Sequence, residues 1–130
     1  MLIDDNEVDN FINQKMIEAA QFAERVFVHT SSKSAIEFFR DLERIKDLPP
    51  FLIPQFVFLD VNMPITDGYG FLEEFNRLSP EFNQNIHLIV LTSSTSPVDE
   101  QRFTSQPQVR HYLNKPLTLE HLRMLEAELV

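Results

Sequence analysis

The stretch VFLDVNMPITDGYGF, residues 57–71, decides the fold. It begins inside an apolar run, Phe56 to Leu59, with no alternation of apolar and polar residues. A strand that is apolar on both sides is covered on both faces, as in parallel sheets. The run then meets an acid, Asp60. In an open α/β sheet, ligands bind outside the carboxyl ends of the strands, so Asp60 sits at the edge where chemistry is done. Further on, Asp67-Gly68 predicts a turn. Tyr69, Phe71, Leu72 and Phe75 predict a helix that ends near Leu78, ahead of Pro80.

Outward from this stretch the same unit recurs. Leu2 and Ile3 predict a very short strand that stops at Asp4 and Asp5. Val8, Phe11, Ile12, Met16, Ile17, Ala19 and Ala20 predict a helical stripe over residues 7–20. Residues 24–29 are β-branched and aromatic and predict a strand. Thr30, Ser31 and Ser32 offer caps for a helix with Ala35, Ile36, Phe38, Phe39, Leu42 and Ile45 on one face. Pro49, Pro50 and Pro54 make residues 48–54 a loop. Residues 86–91 predict a strand that runs into Thr92, and residues 97–105 a short polar helix. Residues 109–113 predict a strand with Lys115 and Pro116 just after it, and residues 118–129 a helix capped by Thr118. Five βα units in succession imply an α/β fold with a parallel sheet covered on both faces, in one domain over residues 1–130.

Composition narrows the function. Lys and Arg number 11 against 20 Asp and Glu, a net charge of −9 that disfavours nucleic acids and anionic membranes by like-charge repulsion. With no cysteine, disulfides and thiolate metal sites are excluded. The start Met-Leu-Ile-Asp-Asp lacks the basic opening of a signal peptide, and no apolar run approaches the roughly 20 residues of a membrane span. A cytoplasmic protein is expected. His29, His87, His111 and His121 share no ligand spacing, so no zinc site is expected.

In a parallel sheet the strand ends share one edge, so Asp4, Asp5, Asp60, Thr92 and Lys115 converge there. Crowded carboxylates raise one another's pKa. A hard cation relieves this, and Mg²⁺ suits oxygen ligands while keeping some water. The Lys115 ammonium is a second source of relief. A carboxylate in such surroundings is set up as a nucleophile toward phosphorus, with cation and lysine neutralising charge on the transferred group. Each residue alone has a plainer reading: Asp4-Asp5 as a helix cap, Asp60 as a turn acid, Thr92 as the start of a Ser/Thr-rich turn. Capping explains one strand end of the four.

LIDDNE, FLDVNMPITDG, VLTS and YLNKP, in that order and each at a strand end, resemble the response-regulator receiver domains of two-component signalling. The resemblance implies a (βα)5 flavodoxin-like three-layer sandwich whose five parallel strands run in the order 2-1-3-4-5. It implies that Asp60 takes a phosphoryl group from a phosphohistidine on a sensor histidine kinase or a histidine phosphotransfer protein. Asp5 and Asp60 would ligate Mg²⁺, Asp4 would act mainly through water, and Asn62 would add its backbone carbonyl. Lys115 would pair with Asp60 and then with the phosphoryl oxygens. Thr92 would swing inward to the phosphoryl group, and the Tyr112 rotamer would follow it. The Lys115–Pro116 peptide would be cis, and Gly68 would be the turn glycine before the third helix. Kinase specificity would lie around Asn10, Asn13, Gln14 and Ile17, while Asn62 and Ser94 would flank the water that dephosphorylates Asp60.

The chain also departs from the family pattern. The first strand is short, Gln106-Pro107-Gln108-Val109 stands where a Gly-Ala is common, and the loop over 48–54 is long. No output domain is expected, so the signal would pass to an unidentified partner through the face built by residues 97–105, 109–113 and 118–129. The alternative is a metal-dependent phosphatase with an aspartyl nucleophile. Such enzymes carry a second acid two residues after the nucleophile, where this chain has Asn62, and they need a cap domain. A receiver-like module that is never phosphorylated would have lost an acid or the lysine, and none is lost. A switch is therefore expected rather than an enzyme that turns over substrate.

Overall fold

The computed structural model describes residues 1–63 and 68–129, so Asp67 of the expected turn lies outside the described residues. The elements are β1 (Leu2–Ile3), α1 (Glu7–Ala19), β2 (Val28–His29), α2 (Ser32–Glu43), a 3-10 turn (Pro50–Leu52) and β3 (Phe56–Leu59). They continue with α3 (Gly68–Asn76), α4 (Pro80–Asn83), β4 (His87–Thr92), α5 (Pro97–Thr104), β5 (Val109–Asn114) and α6 (Leu119–Ala127). The strands pair in parallel in the order β2-β1-β3-β4-β5, the flavodoxin-like arrangement. The order reverses between β1 and β3, and such switch points open a crevice at the carboxyl edge.

Strand residues alternate between the two faces. Ile3, Val57, Leu59, Leu88 and Val90 face one layer with Ala35, Ile36 and Phe39 of α2, Phe71, Leu72 and Phe75 of α3, and Phe103 of α5. Leu2, Phe56, Phe58, Ile89 and Leu91 face the other, with Ile17 of α1 and Leu122 and Leu125 of α6. Burying both faces explains why β3 and residues 88–91 of β4 are apolar without alternation, and each large aliphatic side chain buried there contributes about 1.5–3 kcal/mol.

Three details differ from the sequence expectation. Only Val28–His29 of residues 24–29 forms a strand, because β1 offers just two residues to pair with. A one-turn helix, α4, follows Ser79, beyond the point where the helix over 69–78 was expected to stop the pattern. The apolar stripe expected over residues 7–20 is buried only in its second half, at Ile17 and Ala20. Val8, Phe11 and Ile12 are exposed, while Asn10, Asn13 and Ile17 are buried.

The Met1 ammonium is buried and donates to Phe56 O at 2.7 Å. Burial pushes its pKa down to about 5. It borders an open groove of about 770 Å³ whose walls include Phe22, Val26, Phe27, Pro54 and Phe56. No described helix is long and apolar enough to cross a membrane.

Candidate functional site

Backbone pairing sets the two central acids side by side. The Asp4 N–H donates to His29 O at 3.0 Å and the Asp60 N–H to Ile3 O at 2.9 Å, so both acids extend the sheet just past their strands. Both are buried; Asp5, next in the chain, is exposed. One carboxylate oxygen from each of Asp4, Asp5 and Asp60 lies within 4.8 Å of the others. Asp4 is already engaged: Oδ1 accepts from the Asn6 N–H at 2.9 Å and Oδ2 meets Lys115 Nζ at 2.5 Å. Asp60 Oδ1 accepts a longer bond from the Asn62 N–H, 3.3 Å.

The pocket is electrostatically loaded. Burial raises the Asp60 pKa, the Asp4 charge raises it further, and the Lys115 charge and the Asn62 amide only partly offset this, leaving it at about 6. For Lys115, burial works downward. Hydrogen bonds to Asp4 and Asp9 and the charge of Asp60 outweigh it, so its pKa is raised and the ammonium is secure.

Lys115 is fixed from two sides. Its N–H donates to Thr92 O at 2.8 Å, and the Lys115–Pro116 peptide is cis. The next amide, Leu117 N–H, donates to the buried Asn13 Oδ1 at 3.0 Å, which ties this loop to α1. The ammonium reaches Asp4, then Asp9 Oδ2 at 2.9 Å, then Asp60 Oδ2 at 3.5 Å. The expected Lys115–Asp60 pair is therefore present but is the longest of three.

Thr92 is fully buried and its Oγ1 accepts from the Ser94 N–H at 3.0 Å, which leaves the hydroxyl hydrogen to donate elsewhere. Ser94 Oγ donates to Asp99 Oδ2 at 2.7 Å, in the first turn of α5. Tyr112 is half-buried opposite Val90, and its hydroxyl is buried with no hydrogen-bond partner among the described residues. Burial raises its pKa. Asn62 is exposed beside Asp60. Gly68 opens α3 where a Cβ would stand 2.8 Å from Val61 Cα and 3.1 Å from Asp60 O, so only glycine lets the helix start this close to the acid's own backbone.

The structure thus brings Asp4, Asp5, Asp60 and Lys115 together at the carboxyl edge of the sheet, with Thr92 at the end of the adjoining strand β4. It does not leave Asn10, Asn13 and Ile17 free for a kinase. Asn10 Nδ2 donates to Asp4 O at 2.8 Å, Asn13 holds Leu117, and Ile17 is core. Of that proposed set only Gln14 is accessible in part. Sequence reasoning missed Asp9. The available signal was an acid in the first turn of the helix that follows the paired acids, a turn that must lie at the same sheet edge.

The donor set suits a hard divalent cation. Three carboxylates converge, one of them exposed, and both Asp4 oxygens are already committed, which favours an Asp4 role through water.

The family model of the response regulator receiver domain matches residues 1–125. The chain belongs to this family. The probable methanogenesis regulatory protein FilR2 of Methanothrix harundinacea is 30% identical over 129 residues, covering 99% of this chain and 79% of that protein. The crystal structure of a two-component response regulator from Cytophaga hutchinsonii superposes with a TM-score of 0.84 at 27% identity, over 98% of this chain and 92% of that one. A response regulator receiver protein from Dyadobacter fermentans shares the fold with a TM-score of 0.83 at 24% identity, over 98% and 93%. Receiver domains serve two-component signalling as switches rather than as metabolic enzymes. They typically bind Mg²⁺ in an acidic pocket and meet histidine kinases or phosphotransfer proteins.

Proposed function

We propose that this receiver accepts a phosphoryl group from a phosphohistidine onto Asp60, with Mg²⁺ as cofactor, and acts as a phosphorylation-controlled switch. The observation that carries the reading is the single crevice: three carboxylates within 4.8 Å, the Lys115 ammonium 3.5 Å from Asp60, and Thr92 at the adjoining strand end. Mg²⁺ held by Asp5, Asp60 and the Asn62 carbonyl, with Asp4 acting through water, would neutralise charge on the transferring phosphoryl group.

The chain's own groups do the rest. An Asp60 pKa of about 6 leaves the carboxylate mostly ionised at neutral pH, as a nucleophile must be. An Asp60 oxygen forms a bond to phosphorus as the phosphorus–nitrogen bond breaks, and the electron pair leaves with the imidazole. The free Thr92 hydroxyl hydrogen and the Lys115 ammonium then face the new anionic oxygens. Phosphorylation replaces the single negative charge of the carboxylate by a phosphoryl group carrying about −1.5 to −2, with new acceptor oxygens, which draws Thr92 inward and favours a new rotamer of Tyr112. The output face is α5, β5 and α6, where an unidentified partner reads the change.

The phosphodonor would dock on α1. Val8, Phe11 and Ile12 are 65%, 61% and 46% exposed on the helix that follows the acids, and clustered apolar surface of this kind marks an interaction site. The phosphatase alternative gains no support, because Asn62 cannot protonate a leaving group.

The test is incubation with a small phosphodonor and Mg²⁺, read by intact mass. One added phosphoryl group is expected, absent with Asp60→Asn and absent with EDTA. Labelling of an aspartate in Asp60→Asn would overturn the assignment, and catalytic turnover of a phosphomonoester would favour the phosphatase.

A further inference from the structure

We propose that Asp9 is a positioning residue that holds the Lys115 ammonium on the α1 side of the crevice and competes with the phosphoryl group on Asp60 for it. This rests on the phosphoacceptor reading and adds a residue that sets its strength.

An ammonium has three hydrogens to donate. In this structure three carboxylates surround the Lys115 ammonium: Asp4 at 2.5 Å, Asp9 at 2.9 Å and Asp60 at 3.5 Å. The two short contacts come from the β1–α1 side, the long one from the acceptor. An anionic group arriving on Asp60 therefore finds the lysine already committed. It is left the one hydrogen that faces Asp60, now at 3.5 Å, and a closer approach draws Lys115 away from one of the short contacts. Asp4 is the poorer one to give up, since its carboxylate is buried and its other oxygen is tied to Asn6.

Asp9 is built to let go. Its side chain is 34% exposed, so water can replace the lysine. Its place does not depend on Lys115 either. The Asp9 N–H donates to Asn6 Oδ1 at 3.0 Å, and an acid is favoured in the first turn of a helix. Asp9 can thus restrain the ammonium before phosphorylation and release it afterwards. Its charge, and not its shape, is what competes.

The probe is beryllofluoride, an analogue of the phosphoryl group, titrated calorimetrically in the presence of Mg²⁺. Asp9→Asn keeps the shape and removes the charge. It is expected to tighten beryllofluoride binding about three- to tenfold, about the reach of one partly exposed ion pair, and to leave the affinity for Mg²⁺ alone within about twofold. Asp9→Glu should stay near wild type. Asp9→Ser serves as a second charge-removing variant, with thermal melts showing that each protein folds. In a Lys115→Met background, Asp9→Asn should change nothing. That last outcome separates competition for the lysine from a general structural effect. Unchanged or weaker binding in both Asp9→Asn and Asp9→Ser, or a gain that survives in Lys115→Met, would overturn the role of Asp9 alone. Failure of the wild-type protein to bind beryllofluoride with Mg²⁺ would instead remove the phosphoacceptor reading, and this inference with it.

Discussion

Replacing Asp60 by Asn should make the metal-free protein more stable, although it removes the proposed acceptor. The native pKa of Asp60 is about 6 against an ordinary 3.8, so the folded protein binds this proton more tightly than the unfolded chain does. Its favourable contribution is complete below pH 3.8 and is lost as pH rises through 6. At about 1.36 kcal/mol per pKa unit, the ionised carboxylate makes folding less favourable by about 3 kcal/mol at pH 7.5 relative to the protonated form. Asn is neutral and nearly isosteric, so Asp60→Asn should gain about 1.5–3 kcal/mol at pH 7.5 and close to nothing at pH 4, where the wild-type acid is already protonated. At about 4 °C per kcal/mol for a chain of this size, the melting temperature should rise by about 6–12 °C. Saturating Mg²⁺ should narrow the gap by stabilising the wild-type protein alone. The assay is urea unfolding at both pH values with EDTA, then with Mg²⁺. A variant no more stable than wild type at pH 7.5, or a gain of equal size at pH 4, would refute the claim that burial and the Asp4 charge strain Asp60.

Gly68→Ala should destabilise the protein by about 1–3 kcal/mol in denaturant melts, despite alanine's better helix propensity, because the new Cβ meets the Val61 backbone at 2.8 Å. Phe11→Ser combined with Val8→Ser should change stability by no more than about 0.5 kcal/mol per site, since both side chains are exposed. The same double variant should slow phosphotransfer from a histidine donor several-fold while labelling by a small phosphodonor continues at the wild-type rate.

Much of the fold was legible because its strands are uniform. Residues 56–59 and 88–91 are apolar throughout, which only a doubly covered sheet tolerates, and the chemistry-bearing residues follow them directly. Strand order was not legible in the pattern. It followed from the resemblance, since alternation of βα units is compatible with several orders. The α1 face was legible only in its second half, because two of its buried positions nearer the start are Asn10 and Asn13, which meet backbone groups of the β1 and β5 ends rather than apolar side chains. Periodicity counts apolar residues and is blind to a polar pair that has partners inside. The length of β2 depends on its neighbour and α4 is too short to carry a period. The Lys115 contacts depend on three distances, 2.5, 2.9 and 3.5 Å, that differ by less than a side chain's flexing and leave no trace in residue spacing.

The bond from the Lys115 amide to the Thr92 carbonyl stitches the ends of two neighbouring strands together beside the acidic edge. That one proton is a natural stopwatch. Its exchange for deuterium counts how often the tips part, and so tells whether threonine and lysine travel as a pair or independently when the pocket fills.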